Sequence, residues 1–130
     1  MRARTITYWI TTALLAFELI LGGFWDLFRV PYVRHVLAAL GYPMYLLTIL
    51  GVWKLLAAAA ILAPRFQRLK EWAYAGVFFE MTGAAASHAA AGNSPSALIA
   101  PLFITALAVA SWALRPSART LGSLFTGKEV

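Results

Sequence analysis

Apolar residues run almost unbroken through four stretches of the chain: Ile6 to Trp25, Pro43 to Leu62, Trp72 to Ala91, and Ala97 to Leu114. A hydrocarbon layer about 30 Å thick is crossed by about 20 apolar residues in a helix, so each stretch predicts one crossing. No run alternates apolar with polar residues, and spanning backbone must satisfy its own hydrogen bonds, which selects helices over strands. Breakers bound the runs. Gly22 and Gly23 approach the end of the first, Gly41-Tyr42-Pro43 opens the second, and Ala63-Pro64-Arg65 stops it. Gly92-Asn93-Ser94-Pro95 parts the third from the fourth, and Arg115-Pro116 ends the last. The expected fold is all-α: an integral membrane four-helix bundle forming a single domain over residues 1–130. Residues 26–41 interleave Leu27, Phe28, Val30, Tyr32, Val33, Val36, Leu37 and Leu40 with Arg29, Arg34 and His35. That pattern suits an amphipathic outer loop lying on the bundle or the membrane surface. Residues 117–130 read as a flexible tail.

Composition agrees with a lipid-facing exterior. The chain has 130 residues, 62% hydrophobic and only 12% charged, with a mean hydropathy of +0.74; ordinary domains carry about 25% charged residues. An N-terminal run behind Arg2 and Arg4 can also read as a signal peptide, but it contains Glu18 and lacks a small-residue cleavage site. The net charge of +6 does not form a basic stripe with stacking aromatics, so no nucleic-acid partner is expected. Instead Arg2, Arg4, Arg65, Arg68, Lys70, Arg115, Arg119 and Lys128 fall on one side of the expected bundle, and Arg29 and Arg34 on the other. Positive residues favour the cytoplasmic side, which places both termini and the middle loop there, in a multi-pass membrane protein. Tyr8, Trp9, Trp25, Tyr42, Tyr45, Trp72, Tyr74 and Trp112 sit where interface anchors are expected. With no cysteine, disulfides, thiolate metal sites and CxxC redox chemistry are excluded.

Candidate chemistry lies in charges placed where they are costly. Glu18, Lys54 and Glu80 fall well inside three of the spans; each would cost roughly 2.5–3.5 kcal/mol unpaired at mid-membrane, so they are expected to meet in the interior. At 1.5 Å per residue, Lys54 and Glu80 share a depth and Glu18 lies roughly 6 Å nearer the outer face. On the third span Gly76, Glu80, Gly83 and Ser87 form a small-polar stripe suited to close helix contact. Thr11, Glu18, Gly22 and Trp25 share a face of the first, and Gly51, Lys54 and Ala58 one of the second. One reading is a structural polar clamp; the other is a ligand or proton site of Glu18, Lys54, Glu80 and His88. His88 suits a proton shuttle, a ligand contact or a helix-end hydrogen bond, and pairing it with His35 as haem ligands is disfavoured by the surface position of His35. Asp26, three residues before Arg29, suits a local ion pair or helix-end contact, and Glu71 suits the start of its helix. No metal-ligand spacing, phosphate loop, nucleophile elbow or dinucleotide fingerprint is present.

Several ordered motifs resemble the DoxX-like family of small bacterial membrane proteins. They are Gly22-Gly23-Phe24-Trp25-Asp26-Leu27, Leu40-Gly41-Tyr42-Pro43, Gly51-Val52-Trp53-Lys54-Leu55-Leu56, Lys70-Glu71-Trp72-Ala73-Tyr74-Ala75-Gly76, and Thr82-Gly83-Ala84-Ala85-Ala86-Ser87-His88. The resemblance covers roughly residues 5 to 115. It implies a four-helix protein of the bacterial inner membrane and an association with membrane oxidoreductase systems, including a thiosulfate:quinone oxidoreductase, and with quinone or oxidative stress. More distant eukaryotic relatives serve as membrane chaperones or cargo receptors. It places Glu18, Lys54, Glu71, Glu80 and His88 at motif positions without giving any of them a chemical role.

The expected function is therefore binding of a quinone or other lipid-soluble molecule as part of a redox system. Glu18, Lys54 and Glu80 would supply hydrogen bonds or protons, with His88, Trp53 and Ser87 near the pocket. No bound metal or resident cofactor is expected, a quinone excepted. The alternatives are a small-molecule or proton-coupled transporter and a non-enzymatic chaperone or assembly protein. Expected partners are the bilayer and either a second copy of the chain or a redox-system subunit.

Overall fold

The computed structural model describes residues 2–120. Among them are five α-helices and no strand: α1 Arg2–Leu27, α2 Pro31–Leu40, α3 Tyr45–Leu62, α4 Gln67–Ala90 and α5 Ile99–Ala113. A 3-10 turn, Pro95–Leu98, leads into α5, and another, Ser117–Arg119, follows it. Of the expected tail, residues 121–130 lie outside the described residues. Three helical segments are long and apolar enough to cross a membrane: Arg2–Leu27, Tyr45–Leu62 and Pro95–Ala113. α4 has the length, at 24 residues, but its own Lys70, Glu71, Glu80 and His88 dilute its apolar character.

α1 packs against α3 and α5, and α4 packs against the same two helices. The core between them is Leu15, Leu19, Ala58, Ile61, Tyr74, Val77, Met81, Leu107 and Ala108. Outside, large apolar side chains stand free: Phe17 is 60% exposed, Phe79 70% and Trp72 78%. Such a surface would aggregate in water, and it is the surface a lipid-facing helix presents. This is a membrane protein.

The tightest crossing is between α1 and α3. A methyl group at Gly51 would stand 2.8 Å from the Gly23 carbonyl oxygen and 2.9 Å from the Leu27 backbone nitrogen; one at Gly23 would stand 2.9 Å from Leu55. Small residues let two helix backbones approach where side chains would hold them apart. α1 accordingly runs through Gly22-Gly23 without a break as far as Leu27, which carries Asp26 on the helix.

At one end of the molecule, cations close the helices. Lys70, 0% exposed, donates from Nζ to the carbonyls of Ala60 at 2.6 Å, Ile61 at 3.3 Å, and Ala63. Arg119 donates to the carbonyls of Ile61, Leu62 and Ala63. Together they satisfy the last turn of α3, whose carbonyls have no partners within the helix and lie at its negative end. Arg4 reaches the Ala113 carbonyl at the end of α5 at 3.1 Å. Residues that read as topology signals in sequence thus also cap helices.

α2 is different. Pro31 occupies its first turn, and Gly41 closes it with φ +84°, its N–H and that of Tyr42 bonding back to Ala38 and Leu37. That left-handed position is one glycine takes without strain. α2 packs closely on none of the long helices and fully buries none of its residues.

Gly51→Ala should lower the detergent unfolding midpoint by an amount equivalent to about 1–3 kcal/mol, because the crossing is already full. Gly76→Ala, where nothing lies within 4 Å of the new methyl, should leave the midpoint unchanged or raise it by up to about 1 kcal/mol through helix propensity. Equal midpoints for the two variants would contradict the close crossing.

Candidate functional site

A cavity of about 500 Å³ separates α2 from the long helices. Val33, Val36, Leu37 and Leu40, spaced as one face of a helix, form its roof. Its walls come from Leu46 and Leu50 on α3, Met81 and Ala84 on α4, and Pro101 and Ile104 on α5. Polar groups enter at two levels: Asp26, Lys54 and Glu80 toward the interior, and Tyr42, Ser87 and His88 nearer the roof.

The inner group centres on an ion pair between helices. Lys54 Nζ stands 2.7 Å from Asp26 Oδ2, with the two side chains 16% and 5% exposed. Asp26 occupies the last turn of α1, where the helix dipole disfavours a negative charge, so it depends on the cation from α3. The Lys54 side chain passes Gly22, where an added methyl would stand 3.6 Å from Nζ. Glu80 lines the same cavity, and among the described residues its buried Oε1 has no hydrogen-bond partner. Asp26 and Lys54 neutralise one another, which leaves Glu80 as an acidic group without its own base. Buried carboxyl oxygens rarely remain unsatisfied. This one can accept a hydrogen bond from a ligand or exchange a proton with it.

Three sequence expectations need correction. Glu18 does not join Lys54 and Glu80: it is exposed on α1 and makes no hydrogen bond or ion pair among the described residues. Each helical residue turns by 100°, and its neighbour Leu19, 1% exposed, is the residue that faces the core. The inward face of α1 is Tyr8, Thr12, Leu15, Leu19, Gly23 and Asp26, and Asp26 takes the place expected of Glu18. Asp26 in turn does not pair with Arg29, which bonds Thr48 Oγ1 at 3.1 Å. Finally, the stripe Gly76, Glu80, Gly83 and Ser87 makes no close helix contact; nothing lies within 4 Å of a methyl placed at Gly76 or Gly83, and the stripe faces open cavities.

A family model of the DoxX-like family matches residues 10–111. The chain belongs to the DoxX-like family. No curated protein and no solved structure matches it.

In this DoxX-like protein the remaining expected site residues are dispersed. Ser87 Oγ donates to the Gly83 carbonyl at 2.9 Å and shares a hydrogen bond of 2.6 Å with the Tyr42 hydroxyl. His88 Nδ1 is 2.8 Å from Asn93 Nδ2, which fixes the ring at the cavity rim. His35 is exposed on α2 and does not line the cavity. Trp53 is 62% exposed and borders a separate groove between α3 and α4. Glu71 belongs to the capped end: Oε1 pairs with Arg115 at 2.6 Å and Oε2 accepts from Trp112 Nε1 at 2.8 Å. Among the described residues no group of three or more His, Asp or Glu could hold a metal ion.

Sequence reasoning missed a second polar core. Ser111 Oγ lies 2.6 Å from Thr12 Oγ1 and 2.7 Å from the Tyr74 hydroxyl, all buried. Tyr8, 0% exposed, buries its hydroxyl without a partner among the described residues. Tyr8 and Tyr74, expected as interface anchors, are core residues. The spacing of Tyr8, Thr12 and Leu15 with Leu19 and Asp26 was the available signal, masked by the apolar residues on every other face of α1.

Lys54→Met should cost about 3–5 kcal/mol of stability, since it strands Asp26 among apolar neighbours. Adding Asp26→Asn should recover most of the loss. A double-mutant cycle of unfolding midpoints with no coupling between the two positions would show that the ion pair does not form.

Proposed function

We propose that this DoxX-like membrane protein binds a lipid-soluble small molecule, with a quinone as the best-fitting class, in the cavity beneath α2, as part of a membrane redox system. The observation that carries the reading is the standoff of α2. An amphipathic helix directs its apolar stripe at the bundle, yet Val33, Val36, Leu37 and Leu40 are only half-buried, because a cavity large enough for a small ligand intervenes. Small-molecule sites are apolar cavities with a few convergent polar groups, and the unpartnered Glu80 oxygen beside the Asp26–Lys54 pair supplies them. An apolar ring with two oxygens at its edge would bury its body against Leu37, Leu50 and Ile104 and present its oxygens to Lys54 and Glu80. The Lys54 ammonium would donate to a carbonyl oxygen; Glu80 would accept from a hydroxyl in the reduced form.

The finer topology belongs to the same reading. α4 serves as a fourth crossing, its polar stripe turned toward the cavities, which makes the protein a four-helix membrane bundle. The Arg- and Lys-rich end, with both termini, faces the cytoplasm of a bacterial inner membrane. Glu18, exposed at mid-helix, supports association with a second copy or a redox subunit that offers it a donor, because a carboxylate facing lipid costs roughly 2.5–3.5 kcal/mol.

Titration of detergent-solubilised protein with decylubiquinol, the reduced form kept so under anaerobic conditions, followed by thermal shift and calorimetry, should show saturable binding. Glu80→Gln should weaken it about tenfold to a hundredfold, the scale of a hydrogen bond to a charged group, and Glu18→Gln should leave it within twofold of wild type, on the order of 0.4 kcal/mol. Absence of both heat and thermal shift in the wild type would refute the reading; equal losses for the two variants would move the site away from the cavity.

A further inference from the structure

A second cavity, of about 410 Å³, lies between α3 and α4. It shares two residues with the cavity under α2, and they are Lys54 and Glu80. Both spaces therefore border the same polar pair. The stripe on α4 joins them: Gly76 lines the second cavity, Gly83 and Ser87 the first, and Glu80 both.

The mouth of the second cavity settles which medium it faces. Its exposed rim is Trp53 and Leu56 on α3, each 62% exposed, with Leu69 at 50% and Trp72 at 78% on α4. A path to water would be rimmed by polar groups, since an apolar constriction repels water and ions. An apolar, aromatic rim on a membrane protein opens to hydrocarbon. Between the rim and Glu80 the floor is built from Ala57, Ala73 and Gly76, which keeps the groove clear of side chains; a methyl at Gly76 would touch nothing within 4 Å.

We propose that this groove holds the hydrocarbon tail of a long-chain ligand whose polar head sits at Lys54 and Glu80, the tail leaving sideways into the bilayer. The proposal rests on the ligand site described above and adds the tail as a determinant of which molecules bind. A head under α2 and a chain between α3 and α4 account for both cavities with one amphipathic occupant, and they give the shared position of Lys54 and Glu80 a purpose: it is where head and tail join.

The test compares a quinone with a decyl chain and the same ring without one, in one detergent, so that partitioning cancels between protein variants. Gly76→Leu fills the groove from α4 without entering the α2 cavity. It should weaken the decyl compound about tenfold, equivalent to losing burial of about two methylenes, while leaving the tail-less ring within about twofold of wild type. Ala73→Leu, made separately, should show the same split. Ligand-free unfolding midpoints establish that each variant folds, and if either does not, the other carries the comparison. Equal effects on both compounds, or none on either, would overturn the tail groove and leave the ligand site standing. Failure of both compounds to bind the wild type would remove the ligand site and the groove with it.

Discussion

The arrangement depends on an ion pair formed inside an apolar layer. Asp26 sits at the unfavourable end of α1, and it is tolerated because Lys54 reaches it from α3 at 2.7 Å. That reach depends on how closely the two helices approach. Gly51 and Gly23 bring the backbones together where a single methyl would collide, and Gly22 leaves a channel for the lysine stem. The pair therefore does more than hold α1 to α3. Lys54 turns to Asp26, and among the described residues the Glu80 oxygen has no partner on a wall shared by two cavities; this imbalance gives the interior its chemical character.

The other end of the molecule follows the opposite logic. There the buried charges are satisfied: Lys70, with Arg119 beside it, on the terminal carbonyls of α3, and Arg115 on Glu71, which also accepts from Trp112. Arg115 also lies 5.5 Å from the centre of the Tyr74 ring, above the buried Thr12–Ser111–Tyr74 cluster. One end is thus a rigid clamp, whereas the half under α2 is held open with its polar groups underused.

Part of this was legible from residue order. The apolar runs and their glycine and proline boundaries predicted helices and a lipid-facing exterior, and the interleaving of apolar residues with Arg29, Arg34 and His35 over residues 26–41 suited an amphipathic element, part of which became α2. Lys54 and Glu80 were identifiable as interior groups because charge within an apolar run has few tolerable surroundings. Glu18 met the same criterion and nonetheless faces outward. Depth along a helix can be counted, but the direction a residue faces is ambiguous when apolar side chains cover every face. In a soluble helix hydrophobicity marks the inward side; here Phe17 and Leu15 are both apolar, and only Leu15 is buried.

The sequence by itself determined the class of protein: transfer energetics make the length and apolarity of a run sufficient to predict a membrane helix, and the ordered motifs carried the family resemblance. Tertiary structure alone decided which acid met the lysine, that the glycine stripe on α4 faced empty space, and that two cavities converged on Glu80. Those outcomes turn on helix rotation and on separations set by a few small residues at one crossing, and neither quantity is written in the hydrophobicity of the chain.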